Sequence, residues 1–296
     1  MPKAYLRGFT LEYLANKKGG ELVVYVAASG KSRKVSINDH IACEPEFYNN
    51  HPLDKEWSKT IECTWPAVRN ALRERENTPQ LLEQLFRFVA AQFVRTHTFM
   101  NYISRSLAMQ RAKRTRLSFE GRQGTGLILD MASTTEVMDA VRSLWPPKCD
   151  LLQSDYAWTL YHNSGSQWFL TSDDPCQWNP KTEGITMPLA LDLALVGRVL
   201  NSGEGPSFHH INASTDLIGE INRSIVSGCN SWVYAHEEIE DLRCFIRENF
   251  VKPDILLSGR AFTNDHQPLD DEEIRKLLKS VEELRKKKVG DKTGNA

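Results

Sequence analysis

Trp168-Phe169-Leu170-Thr171-Ser172-Asp173-Asp174-Pro175 reads as an apolar strand that runs into two hydroxyls, two carboxylates and a proline. Consecutive apolar residues fit a largely buried strand, and Pro175 holds Asp174 in extended backbone, so both aspartates stand where the chain leaves a sheet. Just upstream, Tyr156 to His162 alternates aromatic and small residues, and Asn163-Ser164-Gly165-Ser166 has turn chemistry. Together these predict a β-hairpin, 156–162 against 167–172, that delivers Ser172 and Asp173 at the end of its second arm. Neighbouring side chains on a strand point to opposite faces, so only one of Asp173 and Asp174 enters a site unless the chain bends after Ser172.

Outward from this stretch, Ile185 to Leu189 and Ala194 to Leu200 read as strands, Asp216 to Ser227 as a helix, Trp232 to Ala235 as a short strand, and Glu237 to Asn249 as a helix. Towards the N-terminus, Leu22 to Ala27 and Lys34 to Ile37 flank the turn Ser29-Gly30-Lys31-Ser32 and form a second predicted hairpin. Trp57, Ile61, Trp65, Val68 and Leu72 recur with helical period, and Pro66 marks a kink or a break between two shorter helices. Thr78-Pro79 supplies an N-cap and a proline at the first position of a long helix. Thr135 to Leu144 is a short helix that Pro146-Pro147 ends. The expected fold class is α+β, with an N-terminal hairpin, a helical middle containing one long helix, and an antiparallel sheet flanked by C-terminal helices. One elaborated domain over 1–289 accounts for it, in two parts, 1–150 and 151–250, with a C-terminal helix over 270–289 and a disordered tail over 290–296. That last helix carries Ile274, Leu277, Leu278, Val281 and Leu284 on one stripe, which must pack on the body or on a second subunit.

Composition excludes little. Thirty-seven basic residues against thirty-eight acidic give a net charge of -1, so any affinity for nucleic acid has to come from local charge. Six cysteines, scattered without a Cys-x-x-Cys pair or a leader sequence ahead of them, fit a reduced, cytoplasmic setting. No apolar run reaches the ~18 residues that a membrane helix needs.

The long helix holds the second informative pattern. Phe88, Gln92, Arg95 and Phe99 share one face, which puts an amide and a guanidinium on the stripe that otherwise turns to the core. A buried Arg95 requires a carboxylate partner. His97 stands beside it in sequence. Further on, Arg105, Arg111, Lys113, Arg114, Arg116 and Arg122 form a basic run, read either as a phosphate contact or as a solvated helix end. The loop Gly121 to Gly126 lacks the Lys-Ser/Thr of a phosphate-cradling P-loop. His209-His210 has no metal-binding frame around it, and Ser172 has no Gly-x-Ser-x-Gly elbow.

Two readings of function follow. In the first, Asp173, Arg95, Gln92 and Asp174 are catalytic, and Arg95, Ser172 and Asn222 bind the substrate. The chain is then a phosphoester hydrolase or nuclease of defence or toxin type, acting on nucleic acid or a phosphate-bearing small molecule. Asp173 would hold a water or a metal, Mg2+ or Mn2+, with Glu62 or Glu220 as further acids. In the second, Arg95 and Asp173 form a structural ion pair inside a non-catalytic binding or interaction module.

Tyr5-Leu6-Arg7-Gly8-Phe9, Ile41-Ala42 with Phe47-Tyr48, Phe88 to Gln92 with Arg95-Thr96, Thr171 to Pro175, Pro188-Leu189 and Ile221-Asn222 together resemble a domain-of-unknown-function family of bacteria and phages, DUF4238-like. The resemblance runs to about Ala235 and is looser between Ser104 and Leu152. The family's hallmark is an N-terminal His-Tyr-x-Pro. Here Met1-Pro2-Lys3 stands in its place: Pro2 matches, and the histidine and tyrosine either lie upstream or are lacking. The family's second aspartate position often holds asparagine, which implies that Asp173 is the essential carboxylate and Asp174 the replaceable one.

Overall fold

The computed structural model describes residues 3–10, 20–38, 52–96, 99–100, 103–104, 106–107, 134–179 and 184–251. His97, the basic run from Arg105 to Arg122, the glycine loop 121–126 and the helix expected over 270–289 lie outside them. A short helix α1 (Lys3–Leu6) runs into a 3-10 turn (Arg7–Phe9). The hairpin β1 (Glu21–Val26) and β2 (Ser32–Ser36) follows, with Gly30 at φ 68° in its turn. Next come α2 (Pro52–Trp57), a π-helical turn (Ser58–Glu62), α3 (Trp65–Arg73) and α4 (Pro79–Val94). The interruption foreseen at Pro66 falls just ahead of it, and Pro66 sits in the first turn of α3, where a missing N–H costs nothing. Thr78 caps α4, its side chain accepting from Leu81 N at 3.3 Å.

Helix α5 spans Thr134–Ser154 without a break, although Pro146-Pro147 was expected to end it. Val141, Trp145, Cys149 and Leu152 keep one buried stripe across the prolines, and Pro146 itself is exposed. Continued burial of the stripe outweighs the lost hydrogen bonds.

The strands β3 (Tyr156–His162), β4 (Thr171–Ser172), β5 (Gln177–Asn179), β6 (Gly184–Ala190), β7 (Leu193–Val199), β8 (Ser207–Asn212) and β9 (Trp232–Ala235) make two sheets with β1 and β2. One has the order β2-β1-β9-β4, the other β5-β6-β7-β3-β8. The fold is α+β as expected, but the single antiparallel sheet becomes two, and β3 pairs in parallel with β8. The hairpin expected over 156–172 does not form. Strand β3 is antiparallel to β7, whereas Thr171 and Ser172 join β9 in the other sheet. The chain between them changes sheets through other partners: Phe169 N donates to Leu191 O at 3.0 Å, and the Asn222 amide brackets the segment. Helices α6 (Thr215–Gly228) and α7 (Glu240–Asn249) complete the described fold.

One apolar cluster runs from Tyr5 to Tyr234 and takes in α2 to α5 together with β3, β6 and β7. Tyr5 is its joint. Its ring packs on Phe9 and Phe88, and its hydroxyl bonds Thr171 Oγ1 and donates to Pro188 O, both at 2.7 Å. That hydroxyl therefore ties the first helix to both sheets.

Candidate functional site

The polar stripe of α4 is buried as the spacing required. Gln92 is 1% exposed, and Arg95 follows it at the C-cap of the helix. Arg95 finds its carboxylate in Glu62, Nη1 to Oε1 at 2.5 Å, with side-chain exposures of 4% and 18%. Its guanidinium also lies 4.5 Å from the centre of the Trp57 ring. Glu62 reaches it because the π turn advances the chain out of α-helical register just before α3; such insertions recur at functional sites.

Trp57 and Trp65 flank this turn. Trp65 stacks face to face on Phe88, 3.6 Å between ring centres, one turn before Gln92 on α4. The indole N–H groups of Trp57 and Trp65 and the amide nitrogen of Gln92 are all buried without a hydrogen-bond partner among the described residues. Buried donors are nearly always matched, and each unmatched one costs about 1–3 kcal/mol. Trp57 touches the Arg95 guanidinium and Trp65 stacks one turn before Gln92, so the three unmatched donors belong to the elements around that buried cation.

The aspartate motif is arranged differently from the expectation. Asp173 does not meet Arg95. Its Oδ1 accepts from Asn230 N at 2.9 Å, and its Oδ2 accepts from Ser231 N at 2.8 Å and Trp232 N at 3.3 Å, which fixes the approach to β9. Burial pushes the Asp173 carboxyl up to about 6, against the pull of those three amides. Asp174 is buried and Asp173 half-buried, and the Asp173 carboxylate goes to the amides of residues 230–232. Ser172 is fully buried and turns back on its neighbour: its hydroxyl donates to Asp174 O at 2.7 Å and accepts from Asp174 N at 3.2 Å. Asn222 uses its whole amide on backbone, Oδ1 accepting from Leu170 N at 2.8 Å and Nδ2 donating to Trp168 O at 2.9 Å. Ser172 and Asn222 thus shape the turn, and Glu220 stands exposed on α6.

Around Asp174 lie groups that sequence reasoning missed. Cys176 is buried against Met187, Sγ to Sδ 3.2 Å, and burial together with the Asp174 charge holds its thiol well above the ordinary range. Burial likewise raises Tyr5, which senses Cys176. Lys148, from α5, stands 4.3 Å over the Phe93 ring, and burial lowers its pKa. The signal for Lys148 was the one that revealed Arg95, a cation on an apolar stripe: Val141, Trp145, Lys148 and Leu152 share a face of α5. A helix broken at Pro146 hides that pattern.

The adjacent His209-His210 separates into an exposed His209 and a half-buried His210, whose Nδ1 is 2.9 Å from His162 Nε2. Burial, Arg75 and His210 lower His162 to about 4, and His210 is lowered by burial and Arg75. Among the described residues no group of three or more His, Cys, Asp or Glu is placed to hold a metal ion, and no helix is long and apolar enough to cross a membrane.

The family model described as "Protein of unknown function (DUF4238)" matches residues 1–238. The chain belongs to the DUF4238 family. Tyr5, Trp57, Glu62, Trp65, Gln92, Arg95, Lys148 and Asp174 all fall inside the DUF4238 match, whereas α7 lies beyond it. No curated protein and no solved structure matches the chain.

Proposed function

We propose that this protein is a phosphoester hydrolase or nuclease-like enzyme, of a defence or toxin type, that takes the phosphate of its substrate into the donor-rich interior beside Gln92 and Arg95. The observation that carries this reading is the set of three buried N–H groups, from Trp57, Trp65 and Gln92, that the described fold leaves unmatched. A phosphoryl group offers several acceptor oxygens, which these three donors lack. Arg95, held by Glu62 and Trp57, supplies fixed positive charge without having to be ordered when the ligand arrives. We assign Asp174, the buried carboxylate, to hold the attacking water. Tyr5 links the two parts, with its ring on Phe88 and its hydroxyl on Thr171.

Turnover of DNA, RNA, nucleotides and simple phosphate monoesters with Mg2+ or Mn2+ tests the proposal. Gln92→Leu removes one unmatched donor, so it should leave the melting temperature unchanged or higher while abolishing turnover. Intact substrates across the panel, together with no saturable phosphate binding, overturn the reading. The second reading, a non-catalytic binding or interaction module, draws on the ion pair of Arg95 with Glu62 and on the backbone amides that hold Asp173. Saturable phosphate binding without turnover of any substrate would favour it.

A further inference from the structure

We propose that β8 is the edge through which two copies of this chain associate, β8 against β8, antiparallel about a two-fold axis, so that their five-stranded sheets become one. The two sheets end in the edge strands β2, β4, β5 and β8. Natural edges are guarded by brevity, charge, proline or a bulge. Strands β4 and β5 are two and three residues long, and β2 carries Arg33 and Lys34. Strand β8, Ser207-Phe208-His209-His210-Ile211-Asn212, has six residues, no lysine, arginine, carboxylate or proline, and a register with β3 that runs without a bulge.

Ala213 N donates to His162 O, so His209 and Ile211, in phase with it, turn their backbone groups to β3, and Phe208, His210 and Asn212 turn theirs outward. Those outward N–H and C=O groups make no hydrogen bond among the described residues. A second β8 centred on the same histidine matches them all. Phe208 then faces Asn212 of the second copy, His210 faces His210 of the second copy, and each facing pair exchanges both of its bonds. The same register sets Ile211, 46% exposed, beside the exposed His209 of the second copy, which takes apolar surface out of water. Charge favours this edge over β2, which in a like pairing would bring Arg33 and Lys34 against a second Arg33 and Lys34. Association through β8 does not involve the interior beside Gln92 and Arg95, and either proposal can fail without the other.

Sedimentation equilibrium of the full chain reads the assembly: the parent is expected at twice the chain mass when concentrated, falling towards one chain mass on dilution. His209→Lys with Ile211→Lys puts lysine opposite lysine on both sides of the axis, and should sediment as a monomer with the far-ultraviolet circular dichroism of the parent. His209→Glu with Ile211→Lys puts opposite charges at the same places and should sediment as a dimer again. A parent that keeps one chain mass at every concentration, or assembles without limit, overturns the proposal. So does a dimer that survives both lysines, or a Glu and Lys pair that stays monomeric. Amide hydrogen exchange of the parent gives a reading without any variant. The peptide over 207–213 should exchange more slowly in concentrated than in dilute solution, and a rate independent of concentration overturns the proposal too.

Discussion

Arg95 and Glu62 decide whether the polar stripe of α4 is committed to the fold, and a double-mutant cycle measures it. Replacing Arg95 with Met removes a cation that is 4% exposed and leaves Glu62, at 18% exposure, with partial access to water. Breaking a buried pair from one side costs about 3–5 kcal/mol; the access of Glu62 places this variant near 3 kcal/mol, part of it the lost contact with Trp57. Glu62→Gln leaves the guanidinium charged, enclosed and facing the Trp57 ring, so it too should cost about 3 kcal/mol. The double variant has no stranded charge and should cost about 3 kcal/mol, not the sum of about 6, a coupling of about 3 kcal/mol. At roughly 2–4 °C per kcal/mol for a chain of this size, each single variant melts about 6–12 °C below the parent. Urea unfolding followed by circular dichroism gives the three free energies. Additivity within about 0.5 kcal/mol, or a cost for Arg95→Met below about 1 kcal/mol, would refute the reasoning.

Gly197→Ala should destabilise by about 3 kcal/mol, the upper end for overpacking, because a Cβ there would lie 2.5 Å from Cζ3 of the buried Trp158 ring; Trp158→Leu in the same chain should recover part of the loss, and no recovery would locate the strain elsewhere. Tyr5→Phe strands Thr171 Oγ1 and Pro188 O and should cost about 1–3 kcal/mol in chemical unfolding. The pH profile of stability has two opposed contributions. Asp173 holds its proton in the folded state up to about 6 but releases it near 3.8 when unfolded, so its contribution falls as pH rises from 4 to 6. His162 stays neutral in the folded state down to about 4 but takes a proton below 6.5 when unfolded, so its contribution is lost as pH falls over nearly the same window. His162→Gln should therefore make stability decline from pH 4 to 6, and Asp173→Asn should steepen the loss on the acid side; unchanged slopes in both would contradict the assignments.

Local chemistry made much of the fold legible. The Thr78-Pro79 cap, the β1–β2 hairpin, α6 and β9 all rest on contacts near in sequence, and each forms close to where it was expected. The buried Gln92 and Arg95 were legible for the same reason, since the period of one helix shows which face they share. What failed were the features set by distant partners. Trp168 to Leu170 looks like a strand, but Leu191 and the Asn222 amide take its backbone groups, and nothing local marks a change of sheet. Nothing local marks strand β8 among the Gly, Ser and Pro residues ahead of it, because its pairing with β3 is parallel and sequence-remote. Asp173 and Asp174 share one motif, and only the sequence-remote backbone of 230–232 decides where the Asp173 carboxylate goes.

The indole N–H resonances of Trp57 and Trp65 report on the donor-rich interior most directly. Titrating the protein with inorganic phosphate or a phosphate monoester should move both resonances downfield and saturably. The indole of Trp158, which already donates to Leu152 O at 2.6 Å, should stay in place. If Trp57 and Trp65 remain fixed while phosphate is raised, the interior beside Gln92 and Arg95 is not an anion site.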